Sequence, residues 1–543
     1  MRRVKTVLIL LIGVSLLHGP FQAWAVIASP GAEMDTYFYA TFLGGGSGDI
    51  VRSIAVDSTG NMVVVGSTYS EDFPVLNAYQ PTYAGGFTDD IHVVGGEGFV
   101  AKLSQEGELL WSTFLGGSGL DGCLEVETFG EEIVVIGVTG STDFPVVGGL
   151  GHQTYGGGET DGFVAVLGSD GELLRSTYFG GSEVDRSEDM VIDGAGRLVF
   201  TGYTASSDLS VTGDAHQAGK KGDTDGFLAV MDPESFEMSY LTYFGGSGRD
   251  GASEAATGPD DDIYVSGWTQ STDFPVTGDA FQSTITGSER DIFLVRFSEA
   301  GQLEYATFLG GSEMEDCFGM EVDSTGCAIL SGRTWSSDFP TADAIQPEYS
   351  GVEVDSLVTK FSPDGGELVF STFLGYRGWD TLHRVCVDGE DNIILTGIAD
   401  SDDFPVINAF QESKNAGIDA YIIMLDPEGA PLFSSYLGGS DMELPWSILY
   451  EDGVLYVTAH VSSGDIMVSD DAYQAAKAGG EDGYLFRFEL DRYLEDQPAA
   501  EWQPPEEPTE EGGGMSYWTS YIVVVGAVTL LGAAWTLYSR RMG

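Results

Sequence analysis

Thr242-Tyr-Phe-Gly-Gly-Ser-Gly-Arg-Asp250 runs an aromatic strand into a Gly-Gly-Ser link and ends it on an acid. The phrase also stands at Thr41, Thr113, Thr177, Thr307, Thr372 and Ser435, so that successive copies are 72, 64, 65, 65, 65 and 63 residues apart. A fixed period of this length marks a repeat architecture. Within one period everything reads as strand and turn: 320–322, a turn at 323–326, 327–330, a long loop, 357–361, a turn at 362–366, then 368–373. Strand-length apolar runs bounded by Gly, Asp, Asn and Pro are hairpin signatures, and no sustained helical period stands between residues 31 and 494. Four short antiparallel strands repeated around an axis make a propeller blade. Seven copies predict an all-β, seven-bladed β-propeller of four-stranded antiparallel blades over residues 31–494.

The ends of the repeat region predict a closed ring. The seventh copy stops after its third strand at 484–488, and the segment 36–42 stands alone before the first copy. Pairing the two supplies the missing fourth strand and removes an open edge that would template aggregation.

The GGSxxD link, the VDxxGN turn (Val56-Asp57-Ser-Thr-Gly60-Asn61), the SxDFP loop (Ser271-Thr-Asp273-Phe274-Pro275), the Ala-x-Gln segment and the DGF strand start (Asp225-Gly226-Phe227) recur along the chain. In these residues it resembles the SBBP β-propeller repeat of bacterial and archaeal surface proteins. The resemblance implies a propeller on the cell exterior. It carries no shared enzymatic activity, and a fold alone does not supply one.

The chain ends predict the address. Arg2, Arg3 and Lys5 precede an apolar run, and Ala23-Trp24-Ala25 fits a small-x-small cleavage site, so residues 1–25 read as a secretory signal peptide. Residues 495–516, rich in Pro and Glu and poor in aliphatics, read as an acidic, self-repelling stalk. The uncharged apolar stretch within 517–538 is long enough for a transmembrane α-helix, flanked by aromatic residues and followed by Arg540 and Arg541 in a cytoplasmic tail, 539–543. The expectation is a single-pass membrane protein with an extracellular propeller at the cell surface.

The formal charge is −62. Without the signal and tail, 18 Lys and Arg stand against 85 Asp and Glu, a net of −67. Such a surface repels nucleic acid and anionic lipid and suits divalent cations or cationic partners.

Three acids recur in every copy on the rim where the links and long loops meet. The first set is Asp49, Asp121, Asp185, Asp250, Glu315, Asp380 and Glu443; the second is Asp72, Asp143, Asp208, Asp273, Asp338, Asp403 and Asp465; the third is Glu97, Asp161, Asp225, Asp291, Asp355, Asp419 and Asp482. A glutamine recurs at Gln80, Gln153, Gln217, Gln282, Gln346, Gln411 and Gln474. Acids and amides in long loops hold turns by bonding backbone N–H groups. The first set, at the mouth of the innermost strands, has a second reading: a carboxylate ring whose oxygens could hold Ca²⁺.

Catalytic signals are thin. His92, His152, His216, His383 and His460 show no metal-binding spacing, no GxSxG elbow is present, and Cys123, Cys317, Cys327 and Cys386 are expected as buried small hydrophobes rather than disulfides. Two classes of function stay open: a binding or adhesion module for a cell-surface glycan or protein, and an extracellular polysaccharide hydrolase or lyase using rim carboxylates. Departures from the repeat separate them. Residues 87–96 are an insertion, Tyr376, Arg377 and Trp379 rebuild the sixth link, and Pro445-Trp446 alters the seventh blade. In a closed ring these fall on one arc. Tyr376, Arg377, Trp379 and Trp446 are the candidate binding residues, since aromatic and guanidinium groups carry binding energy at interfaces.

Overall fold

The protein is a ring of seven four-stranded antiparallel sheets. A computed structural model describes residues 36–86, 96–287, 289–351, 354–376 and 378–497. Each recurring acid of the first set opens an innermost strand: Asp49–Val56, Asp121–Phe129, Asp185–Ile192, Asp250–Thr257, Glu315–Val322, Asp380–Val387 and Glu443–Glu451 for blades 1 to 7. In blade 4 the sheet continues outward through Ile263–Thr269, Asp291–Phe297 and Leu303–Leu309. The other blades repeat that order.

The ring closes as expected. Phe38–Leu43 pairs antiparallel with Asp482–Phe488 as the outer strand of blade 7, Phe38 facing Phe488 and Leu43 facing Gly483. Blade 7 grips this strand by side chains too: the Ala40 N–H donates to Ser469 Oγ at 2.8 Å and the Gln474 N–H to Thr41 Oγ1 at 2.9 Å.

The core lies between blades. Residues of neighbouring sheets interleave into apolar layers, and the layer joining blades 7 and 1 holds Tyr39, Leu43, Val51, Met62, Phe99, Tyr456 and Leu485. The residue after the second acid plugs the top of each blade, an aromatic in five blades and Leu209 and Ile466 in blades 3 and 7. Phe73, Phe144, Phe274 and Phe404 sit 4.4, 4.4, 4.7 and 3.7 Å from the third-strand rings of Phe99, Phe163, Phe293 and Tyr421. The rest of the long loop turns down over the outer strand, with bridges such as Leu76 to Ser112 and Ile407 to Ser434. That cover shields what would be an exposed edge.

The turns from first to second strand need a left-handed residue. Gly60, Gly196 and Gly326 supply it at φ +82°, +78° and +85°, and Asp261 and Asp391 take the same conformation in blades 4 and 6. On this lower face, side chains reach from one blade to the next: Tyr240 Oη donates to Gly301 O at 2.8 Å, Arg175 Nε to Pro233 O at 2.7 Å and Lys360 Nζ to Pro427 O at 3.0 Å.

One helix departs from the all-strand expectation. Leu490–Glu495 follows the last strand and buries Leu490 and Tyr493 against blade 7. Six residues are too few to show a period, and tertiary packing stabilises the turn. Tyr37 Oη donates to Asp496 at 2.6 Å, which ties the first residues assigned to the stalk onto the ring. The four cysteines are free and buried. Among the described residues no helix is long and apolar enough to cross a membrane. The signal, the rest of the stalk, the 517–538 helix, the tail, Arg377 and insertion residues 87–95 lie outside the described residues.

Removing residues 36–43 takes away the last blade's outer strand and bares the edge of 482–488. The variant is expected to aggregate or to melt well below the parent, by light scattering and differential scanning calorimetry; an unchanged melting curve would contradict the closure.

Candidate functional site

The three recurring acids converge on the link between blades. The first acid accepts the backbone N–H of the residue four positions before it in all seven copies, at 2.6 to 3.2 Å: from Gly45, Gly117, Gly181, Gly246, Gly311, Tyr376 and Gly439. A serine of the SxDFP loop donates to the same carboxylate, as in Ser70 to Asp49 at 2.9 Å and Ser271 to Asp250 at 2.8 Å. The threonine two residues before it donates as well, Thr334 to Glu315 at 2.7 Å. The second acid takes the next link N–H: Ser118 to Asp143 at 2.8 Å, Ser247 to Asp273 at 2.7 Å, Ser440 to Asp465 at 2.8 Å. The third acid, at the end of the outgoing blade's long loop, takes loop N–H groups such as those of Ala84, Lys221 and Ala478 at 2.7 to 2.9 Å.

Glutamine joins the two sides. Gln411 Nε2 donates to Asp419 at 2.8 Å while its Oε1 accepts from the link at Gly438, 3.0 Å; Gln282 and Gln474 repeat this. Blade 2 differs from the sequence reading. There His152, not Gln153, donates its N–H to the outer-strand threonine, and Gln153 turns back to Leu150 O.

This crowding explains the Gly-Gly pair. A Cβ on Gly180 would meet Asp185 and Asp161 oxygens at 2.8 and 2.9 Å, and one on Gly246 would meet Asp273 Oδ1 at 2.5 Å. Only hydrogen fits there.

The first-set carboxylates are fully buried. Burial pushes Asp49, Glu315 and Glu443 up to about 7 and Asp380 to about 6, against the pull of their donors. Third-set Glu97 and Asp161 rise to about 7 for the same reason. Asp143 and Asp273 of the second set move the other way, held below the ordinary carboxylate range by the Ser118 and Ser247 N–H groups. Among the described residues no three His, Cys, Asp or Glu side chains form a group that could hold a metal ion. Chemically, the rim acids hold the backbone. The first and third sets are buried, whereas the second set is exposed at the rim.

Symmetry breaks one step deeper. Every innermost strand carries a β-bulge at the same place, between Val51 and Ser53 in blade 1 and at the matching pairs in the other six. The extra residue is Arg52, Leu124, Glu188, Ser253, Phe318, His383 or Trp446, and the next is Ser53, Glu125, Asp189, Glu254, Gly319, Arg384 or Ser447. Bulges re-aim side chains, and these meet around the axis. Arg384 of blade 6 pairs with Glu254 of blade 4 at 2.6 Å, and donates to Trp446 O of blade 7 at 3.1 Å. Asp189 accepts the Ala255 N–H at 2.7 Å. Glu125 and Glu254 are both pushed up to about 8, chiefly by burial, while the Arg384 charge pulls them down.

Near the rim the channel wall becomes aromatic and cationic. In blades 4 and 5, Trp268 lies between Arg249 and Arg290, 5.9 and 5.4 Å from its centroid; Arg290 and Arg333 pair with Asp316 at 2.5 and 2.8 Å; and Arg333 lies over Phe318 and Trp335 at 4.9 and 4.7 Å. Phe318 meets His383 of blade 6 edge-on at 5.7 Å. His383 Nδ1 is 3.0 Å from Pro445 O, and burial lowers its pKa to about 4, so it is neutral with the Nδ1 proton donated to that carbonyl. Trp446 then carries Arg52 of blade 1 over its ring at 3.8 Å and donates its indole N–H to His460 Nδ1 at 2.8 Å.

The four binding candidates therefore differ in place. Tyr376 occupies a slot that is glycine in the other links and packs toward the core, 5.1 Å from Phe404. Trp379 is half-buried and bridges to Val354. Trp446 is a platform for Arg52. The residues that sequence reasoning missed are Arg52, Trp268, Arg333, Trp335 and Arg384. For Arg52 and Arg384 a signal was available, a charged side chain three or four places after the first acid in a strand otherwise built for burial, whereas Trp268, Arg333 and Trp335 stand on or just after second strands.

No family model matches the chain, and no curated protein matches it. Among solved structures, the WD40 domain of Pan2 from Neurospora crassa aligns with a TM-score of 0.40 at 10% identity over 83% of this chain and 95% of that one. A protein of unknown function from Bacteroides caccae aligns with a TM-score of 0.31 at 9% identity, over 63% and 92%. The propeller assignment rests on the strand pairing itself.

Two outcomes test the site. Asp250→Ala strands the donors of Gly246, Thr269 and Ser271; at about 1–3 kcal/mol for an orphaned buried group, a loss of about 3 kcal/mol is expected by urea denaturation, equal with and without Ca²⁺. A loss seen only with Ca²⁺ would instead make Asp250 a ligand. Separately, the folded chain keeps protons on the raised carboxyls that the unfolded chain releases near pH 4. Stability should therefore fall as pH rises from about 4 to about 7 and level off above, so the melting temperature is expected to be higher at pH 5 than at pH 8; the reverse order would contradict the burial of these groups.

Proposed function

We propose that this chain is a non-catalytic binding propeller of the SBBP type, displayed at the cell surface on the apolar 517–538 segment, whose ligand face is the link-side rim over blades 4, 5, 6, 7 and 1. The observation that carries the reading is the Arg–Trp run around the channel mouth. In a chain with a net charge of −62, Arg52, Arg186 and Arg384 stand on innermost strands, and Arg249, Arg290 and Arg333 stand on the adjoining link, loop end and second strand. Trp268, Trp335 and Trp379 stand half-buried beside them. Aromatic faces and guanidinium groups suit a glycan or an extended protein segment, and both side chains are enriched where interfaces carry their energy. The deep crevices offer less: the cavity between blades 2 and 3 is about 90 Å³ and apolar.

The repeat motifs and the secretory and membrane patterns at the termini support the surface address. Backbone-tied rim acids favour binding over the hydrolase or lyase reading. On a glycan and protein array, the full chain is expected to retain a ligand that Trp335→Ala and Trp379→Ala release by about tenfold or more, with the melting temperature little changed. Steady product release from a polysaccharide, lost in Asp380→Asn, would overturn the proposal.

A further inference from the structure

Arg52 forms no ion pair among the described residues, and the carboxylate charge that reaches it is that of Glu188. It is the bulge residue of blade 1, three positions along from the rim acid Asp49. Its guanidinium carbon lies 3.8 Å from the Trp446 ring centroid, and its Nε is buried and donates to no acceptor. Four of the other arginines are matched, Arg186 with Glu188 at 2.6 Å, Arg384 with Glu254 at 2.6 Å, and Arg290 and Arg333 with Asp316, while Arg249 lies 5.9 Å from the Trp268 ring centroid. No carboxylate among the described residues forms an ion pair with Arg52. In a chain of 85 acids, that gap is not a shortage of partners.

A buried charge left unpaired is costly, and folded proteins neutralise it, pair it or keep it for a ligand. Guanidinium groups stay charged at neutral pH. Burial and the like charges of Arg186 and Arg384 bring Arg52 down to about 9, still above neutrality. A guanidinium meets a carboxylate with parallel, charge-assisted hydrogen bonds, and with Nε covered the Nη groups are the ones open to a ligand. Arg186 pairs with Glu188 and Arg384 with Glu254, so Arg52 is the guanidinium at the channel left for a ligand.

We propose that the mouth of the axial channel is a carboxylate-binding site, in which Arg52, lying over Trp446, takes the anion by its terminal Nη groups while Arg186, two blades round and paired with Glu188, stands beside it. The site goes beyond the rim reading because it needs only a small acid. Loss of array binding and loss of anion binding are therefore read separately.

The test is thermal shift and titration calorimetry of the full chain with sodium acetate, against sodium chloride at matched ionic strength, in a zwitterionic buffer at pH 7.5. Acetate is expected to raise the melting temperature saturably and chloride not. Arg52→Gln should abolish the acetate response and, without acetate, melt no lower than the parent, since it removes an unpaired buried charge. Arg186→Gln should keep the fold and weaken acetate severalfold, which preserves the test if the Arg52 variant fails to fold. Glucuronate and a polyuronate chain distinguish a free acid from a glycan-borne one, and a response to either supports the site. No saturable acetate effect, an equal effect of chloride, or a destabilised Arg52→Gln that still responds to acetate would each overturn it.

Discussion

Each blade is joined to the next through one buried carboxylate. A link that leaves the outer strand of one blade and enters the innermost strand of the next must cross the top of the ring, where its backbone N–H groups lose water. The acid that opens the innermost strand accepts one of them, with serine and threonine hydroxyls of its own blade filling the remaining lone pairs. Buried backbone donors must be satisfied, and here a side chain does it because no strand runs overhead to do so. Much else follows. The link is Gly-Gly because the carboxylates on either side leave no room for Cβ. The SxDFP loop is long because it must bring a serine and a second acid over the link while the residue after that acid seals the blade. The glutamine reaches across because the outgoing blade must hold its end as well.

A device repeated seven times fixes the rim and frees the channel. The bulge beneath each acid turns out one extra residue per blade, and the rim's hydrogen bonds do not depend on which residue it is. The molecule concentrates its asymmetry there: arginine in blade 1, phenylalanine in blade 5, histidine in blade 6, tryptophan in blade 7. The inner wall sets Arg52, Arg186 and Arg384 among Glu125, Glu188, Asp189 and Glu254, so charges of both signs meet at the axis.

Much of the fold was legible because the repeat speaks several times over. Seven copies average out local ambiguity, which is why blade number, strand order, the pairing of residues 36–42 with the last blade and the sharing of one rim by link and loop could be read from spacing. The acids of the second and third sets could be read as backbone ties because Asp beside a link of Gly and Ser has few other roles. The misreadings are of another kind. The slip of one residue that puts His152 in the glutamine slot depends on the length of one loop. The helix at Leu490–Glu495 is too short for a period. Tyr376 looked like a ligand-facing aromatic, yet it turns inward onto Phe404 because the sixth link takes a different path.

The amino-acid sequence by itself determined what is periodic: seven blades, their strands and turns, the closing strand, and the acid, serine and glutamine that hold each link. These are local patterns, and within a blade the partners lie at fixed offsets along the chain. Only the tertiary structure decided what meets at the axis. Arg384 finds Glu254 from 130 residues away, and Arg52 lies on Trp446 because the ring brings its first and last blades together. Such contacts leave no spacing rule, because they depend on closure of the whole ring and on bulges that aim side chains inward, and the residues that make them are the ones in which the blades differ.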